Sequence, residues 1–211
     1  MSGVKSVSIT PYTSCIDDFL KEDDVVDFSN KIIIRLSDKL YQNADSKIDY
    51  IKTAFEYVRD CIHHSADADE DEITCSASEV LYKGHGICFA KSHLLAALFR
   101  CKGIPAGFCY QKLILDDETA PVLILHGLNA VYISEIGKWI RLDARGNKAG
   151  VDSQFSLEDE KLAFPVRPDR GEEDGFTVFP SPDELVLQKM KEHKTRTELF
   201  HDLPKELKSV L

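Results

Sequence analysis

Between Ile104 and Leu142 the chain runs through three β-prone stretches, Ile104 to Leu115, Val122 to Ile133 and Trp139 to Leu142, separated by short polar joints. The joints centre on Asp116-Asp117-Glu118 and on Ser134-Glu135-Ile136-Gly137, and turns of that length fold consecutive strands back as antiparallel neighbours. Just upstream, Leu94, Leu95, Leu98 and Phe99 keep helical spacing in a segment that starts near Cys88 and stops at Gly103. A helix followed by a meander predicts an α+β fold, with the helix packed on an antiparallel sheet.

The flanks add helices and irregular chain. Residues 1–30 carry little periodic signal and are read as an arm or short helix. From Ser46 onward Ile48, Ile51, Phe55, Val58 and Ile62 recur at steps of three and four, which predicts an amphipathic helix to about His64. The acidic run Asp67 to Glu72 is expected to be a solvated loop. Ser76 and Glu79 form a capping-box pattern ahead of a short helix through Lys83, and Gly84-His85-Gly86 then breaks the chain just before Ile87-Cys88. Beyond Asp143 frequent Pro and Gly rule out long elements, save one helix from Asp183 to about His193; the stretch Asp169 to Gly175 is expected to be a mobile loop.

With 211 residues, 43% hydrophobic, the chain suits one compact domain with an appendage. Six widely scattered cysteines do not make a disulfide framework, so reduced thiols are expected. The first residues lack a signal-peptide pattern and no apolar run is long enough for a membrane helix, which predicts a cytoplasmic protein without a membrane partner. A net charge of −10, with no concentration of Lys and Arg, argues against nucleic acid.

Cys88 follows Gly-His-Gly at the first turn of an apolar helix, where free N–H groups and the positive helix end favour a thiolate. A thiol nucleophile needs an imidazole partner, and that imidazole needs an acceptor on its other nitrogen. His126 follows Val122-Leu123-Ile124-Leu125 and Asp143 ends Trp139-Ile140-Arg141-Leu142, so neighbouring antiparallel strands can bring the two together.

These residues carry a family resemblance. Gly86-Ile87-Cys88, Arg100-Cys101-Lys102-Gly103-Ile104-Pro105-Ala106, Leu125-His126-Gly127-Leu128-Asn129-Ala130 and Trp139-Ile140-Arg141-Leu142-Asp143 stand in the order of the transglutaminase-like superfamily of papain-related folds. The match runs from about Ser46 to Asn147 and resembles a small, bacterial-type intracellular member. It implies a papain/transglutaminase-like α+β core, with an N-terminal arm or helix over residues 1–45, a catalytic core over 46–150 and a C-terminal extension over 151–211 packed on the core. That extension either covers the groove as a lid or enlarges the core.

The resemblance further implies a Cys88–His126–Asp143 triad acting through a thioester on a peptide or protein amide, by hydrolysis or acyl transfer, without cofactor or metal. The backbone N–H of Cys88 is expected to be one oxyanion donor, with Tyr82 and His85 as the nearest upstream candidates for a second. Two departures stand out. Leu128 replaces an aromatic residue often found two positions after the His, which would alter the roof of the substrate channel. No Asp-x-Asp-x-Asp-Gly calcium loop accompanies Asp67 and Asp69, so calcium-dependent cross-linking is not implied.

Taken singly, each residue has a plainer role. A free cysteine is usually a small buried hydrophobe, which is the reading kept for Cys101 and Cys109; a strand histidine is usually a satisfied hydrogen-bond partner; an aspartate before Ala-Arg-Gly-Asn is usually a turn former. Cys61, His63, His64 and Cys75 lack the paired spacing of a zinc site. His93 faces away from Cys88 round the helix. The alternative function is a non-catalytic peptide- or protein-binding module on the same fold. An arylamine acetyltransferase is disfavoured by the short chain and the missing Arg-Gly-Gly before the cysteine.

Overall fold

The structure is a computed structural model that describes residues 8–115 and 121–208; the Asp116-Asp117-Glu118 joint lies outside them. In chain order the elements are β1 (Thr10–Pro11), a 3-10 turn (Ile16–Leu20), α1 (Lys31–Gln42), α2 (Lys47–Cys61), β2 (His63–His64), α3 (Ala77–Lys83), β3 (His85–Gly86) and α4 (Cys88–Cys101). There follow β4 (Ala106–Ile114), β5 (Leu123–Ile133), β6 (Lys138–Leu142), a second 3-10 turn (Pro168–Arg170), β7 (Glu173–Asp174), β8 (Thr177–Val178), α5 (Glu184–Glu192) and α6 (Arg196–Phe200).

The meander forms as expected. The central sheet has the order β6-β5-β4-β7 with every pairing antiparallel, and His126 sits opposite Gln111. On it lies α4, whose residues Phe89 to Arg100 are all buried. A helix buried all round has no polar face to present, which is why its sequence is apolar on every side except at Lys91, Ser92, His93 and Arg100, each anchored by hydrogen bonds; Ser92 donates to Cys88 O. Lys91 is fully buried, and its ammonium donates to the carbonyls of Ile62, Arg145 (3.0 Å) and Arg59 (3.3 Å), one acceptor for each N–H. Arg100 donates to the carbonyls of Ala106, Lys21 and Pro180, and His93 Nδ1 lies 2.7 Å from the Cys75 carbonyl. These contacts fix both ends of α4, and with them the position of Cys88.

Helices α1 and α2 cover the other side of α4. Asn30 and Ser46 cap them by accepting from Ile32 N and Asp49 N, and α2 buries Tyr50, Ile51, Ala54, Phe55 and Val58 along one stripe. One hydrophobic cluster runs from Val25 through these helices to Val186, Met190, Leu199 and Leu203, so residues from the N-terminal segment and from the C-terminal segment share one core with α4. A smaller cluster of Phe19, Cys109, Leu128, Ala130 and Val178 fills the far face of the sheet.

Several expectations need correction. The stretch Asp169 to Gly175 is not a mobile loop: β7 extends the sheet beside β4, and Arg141 holds Asp174 with two N–H groups, 2.6 and 2.9 Å. Ser76 accepts from Glu79 N, but the Glu79 carboxylate reaches Cys75 N (2.8 Å) rather than closing a box on Ser76. The acidic run is not merely solvated, since Asp67 pairs with Arg145 and Lys148 while Asp71 accepts from Thr197. Leu128 is buried in the far-face cluster, so it does not roof a channel. Among the described residues no helix is long and apolar enough to cross a membrane.

Candidate active site

Two local structures deliver Cys88. Gly84 takes a left-handed turn (φ 76°) that ends α3, and β3 then pairs in parallel with β2, setting His64 opposite Gly86. The chain enters α4 at Ile87, an N-cap with no side-chain hydrogen bond, so no side chain occupies the first-turn N–H groups around Cys88. Cys88 is half-buried at that uncapped, positive end.

His126 and Asp143 come from β5 and from the end of β6. The Nε2–H of His126 donates to Asp143 Oδ2 over 2.8 Å, which leaves Nδ1 for the hydrogen bond with Cys88. Asp143 has no solvent exposure, and it also accepts from Arg145 N (3.1 Å, to Oδ1) and Ala163 N (3.2 Å, to Oδ2). Burial alone would discourage a charged imidazole. The negative charge of Asp143, the Cys88 sulfur and hydrogen bonds from both outweigh it and hold His126 up at about 10. Burial works against the Asp143 carboxylate too, but His126 and the two backbone amides keep its pKa below the ordinary value.

One backbone position makes this approach possible. At Gly127 a Cβ would stand 2.5 Å from the ring of Phe89, the residue after Cys88. Only glycine lets β5 come so close to the first turn of α4. Asn129 ties β5 to α4 further along by donating to Ser92 O (3.0 Å), and it also donates to Gly107 O on β4 (3.2 Å).

Cys88 and His126 line a cleft of about 620 Å³, within the usual range for small-ligand sites. Its wall has two characters. Leu113, Ile114 and Ile124 join Phe200 and Leu203 in an apolar stretch, while His64, Asp67, Arg145 and Lys148 form a charged cluster in which both cations contact Asp67. Phe164 stands between, edge-on to His126 with ring centroids 5.3 Å apart and with the Arg145 guanidinium over its face.

The triad residues Cys88, His126 and Asp143 are thus brought together, and the two candidates for a further oxyanion donor are not. Tyr82 is 79% exposed, and the buried His85 ring is engaged by Ser65 at 3.1 Å; neither lines the cleft. His64 does line it. Burial, reinforced by the charge of Arg145, pushes His64 down to about 3, so it is neutral, and its Nδ1 is buried without a hydrogen-bond partner. In the sequence His64 stands out only as a potential metal ligand, and its parallel pairing beside Gly86 is the tertiary fact that gives it another place. Among the described residues the side chains close enough together to share an ion are Glu192, His193 and Asp202, but His193 and Lys189 already bond to Asp202.

A family model for the transglutaminase-like superfamily matches residues 34–144, a span that contains Cys88, His126 and Asp143. The chain belongs to the transglutaminase-like superfamily. A putative cysteine protease from Cytophaga hutchinsonii shares its fold, with 18% identity and a TM-score of 0.50 over 63% of this chain and 43% of that one. Weaker likenesses are the periplasmic domain of TgpA from Pseudomonas aeruginosa (16% identity, TM-score 0.42, 60% of this chain and 45% of that one) and red sea bream transglutaminase (12%, 0.44, 67% and 29%). The chain therefore spans less than half the length of each of these proteins, and no curated protein matches it. Phe164, Phe200 and Leu203 lie outside the part that matches the superfamily model, so one side of the cleft is built by residues beyond the matched span.

Proposed function

We propose that this transglutaminase-like protein is a thiol-dependent amide hydrolase or acyl transferase in which Cys88 is the nucleophile, His126 the proton carrier and Asp143 its orienting anion. The observation that carries the reading is the shared hydrogen-bond chain: Cys88 at an uncapped helix start, His126 between it and a fully buried Asp143.

In the acylation step the Cys88 sulfur bonds to the carbonyl carbon of a peptide or side-chain amide, and the C–N bond breaks. His126 gives its Nδ1 proton to the departing amine. Water or an amine then attacks the thioester, leaving its proton on His126 as the sulfur departs. Asp143 keeps the ring oriented and stabilises the imidazolium throughout. The developing oxyanion meets the Cys88 backbone N–H, and neutral His64 is the side chain suited to act as second donor.

The test is to mix the protein with activated amide or ester substrates, quench in acid and weigh the intact chain. The expected result is an added acyl mass on the Cys88 peptide, removed by hydroxylamine and absent from Cys88→Ala. Acyl adducts spread over the exposed Cys15 and Cys61, or none on Cys88, would remove the proposal. Added amines that raise turnover and appear in the product mark transfer; insensitivity to amine marks hydrolysis.

A further inference from the structure

We infer that the acyl part of the substrate carries a bulky aliphatic or aromatic side chain, which a subsite completed by the C-terminal segment selects over glutamine and over charged residues. This inference rests on the thiol acyl-transfer reading above. The subsite is built by Leu113, Ile114 and Ile124 from the turn end of the β4–β5 hairpin, by Phe164, and by Phe200 and Leu203 from the C-terminal segment.

Backbone contacts pin the last of these in place. Leu125, the residue before His126, donates its N–H to Pro204 O over 2.7 Å, so the segment after α6 lies along β5 just where β6 no longer pairs with it. Lys112 and Glu206 pair a little further out, and Leu203 is 7% exposed within the main core. The segment is therefore a fixed part of the cleft wall one residue from the proton carrier.

The chemistry of that wall sets what it accepts. The charges at its rim answer each other: the Glu172 carboxylate accepts from Arg167 and from Ile114 N, and the Arg167 contact holds it at about 2. An aliphatic or aromatic side chain loses only ordered water on entering such a surface, whereas a carboxamide or charged group loses hydrogen bonds that Leu, Ile and Phe side chains do not replace. The charged cluster around His64 offers polar partners, but it belongs to different loops from the apolar wall.

The experiment compares dipeptide acyloxymethyl ketones that differ only in one side chain, Leu, Phe, Gln, Asp or Lys, scanned at both residues, with the labelling rate of each cysteine followed by mass spectrometry. The expected result is labelling of Cys88 at least about 10-fold faster by the Leu and Phe probes than by the other three at one of the two positions. In Leu203→Lys, with folding checked by circular dichroism, that advantage should shrink and the Asp probe should gain. If Cys88 labels readily but at equal rates, or fastest with Gln, Asp or Lys, the subsite is overturned while the thiol chemistry stands. If no probe labels Cys88 in preference to the other cysteines, the reading beneath it falls and takes the inference with it. If Leu203→Lys does not fold, the wild-type probe series decides alone.

Discussion

His126 stands under strongly opposed forces, and the balance has a sign that can be measured. Its folded pKa is raised from 6.5 to about 10, so its pairing with Asp143 and Cys88 contributes full stability below pH 6.5 and loses it as pH rises through about 10. Asp143 is depressed instead, so its contribution is present above 3.8 and disappears as the pH falls. Lys91, pushed down by burial to about 7, acts oppositely to His126 in the alkaline range, and the comparison with a variant cancels it. We predict that the urea-midpoint difference between wild type and His126→Gln narrows steadily from pH 6.5 to 10. A constant difference would mean that no imidazolium is held in the fold. His64 gives a second prediction at this scale: His64→Phe, which keeps a ring and removes the N–H, should lower kcat about 100-fold with KM little changed, and His64→Gln should recover part of it. Equal losses in both variants would assign His64 to packing.

The elements that matter most are α4 and β5, because their approach sets the distance between Cys88 and His126. Gly127→Ala is expected to drive a methyl into the Phe89 ring, cost about 1–3 kcal/mol and lower kcat/KM more than the stability loss explains. Chemical denaturation paired with single-turnover kinetics checks both numbers. A variant with wild-type turnover would show that the helix start tolerates displacement. Both elements are legible in the sequence, since α4 is a long apolar run with a clear stop and β5 a β-prone run with its turn. Helix α1 was not read from the sequence, although Ile33, Leu36 and Leu40 keep helical spacing and pack on the main core. β7 gave no local signal at all. An acidic, glycine-bounded segment is a strand there because β4 offers an edge and Arg141 answers its charge, and both partners are distant in sequence. The same distance kept His64 from view, whereas Cys88, His126 and Asp143 were legible because each sits at a boundary of an element that the pattern itself marks.

At the scale of the whole molecule, the chain after Asp143 shares one hydrophobic core with the span that matches the superfamily. Val186, Met190, Leu199 and Leu203 bury themselves in the same cluster as Phe55 and Leu94, and Tyr110 on β4 accepts the N–H of Asp183 at 2.8 Å. We therefore expect one cooperative thermal transition for the full chain. Removal of the residues beyond 182 should expose that apolar face and lower the melting temperature by more than about 10 °C; two separate transitions in the intact protein would contradict a shared core.

Everything proposed for function depends on Cys88 acting as a sulfur nucleophile poised by His126, and iodoacetamide alkylation across pH, read at each of the six cysteines in wild type and in His126→Ala, addresses that claim directly. The environments make the comparison sharp, since burial pushes Cys75 and Cys109 up to about 11 and about 12 while Cys15 and Cys61 lie exposed. We predict that half-buried Cys88 is alkylated fastest at neutral pH, faster than the exposed pair, and that His126→Ala abolishes the advantage. Alkylation of Cys88 at the pace of Cys15 and Cys61, unchanged by the loss of His126, would contradict the account.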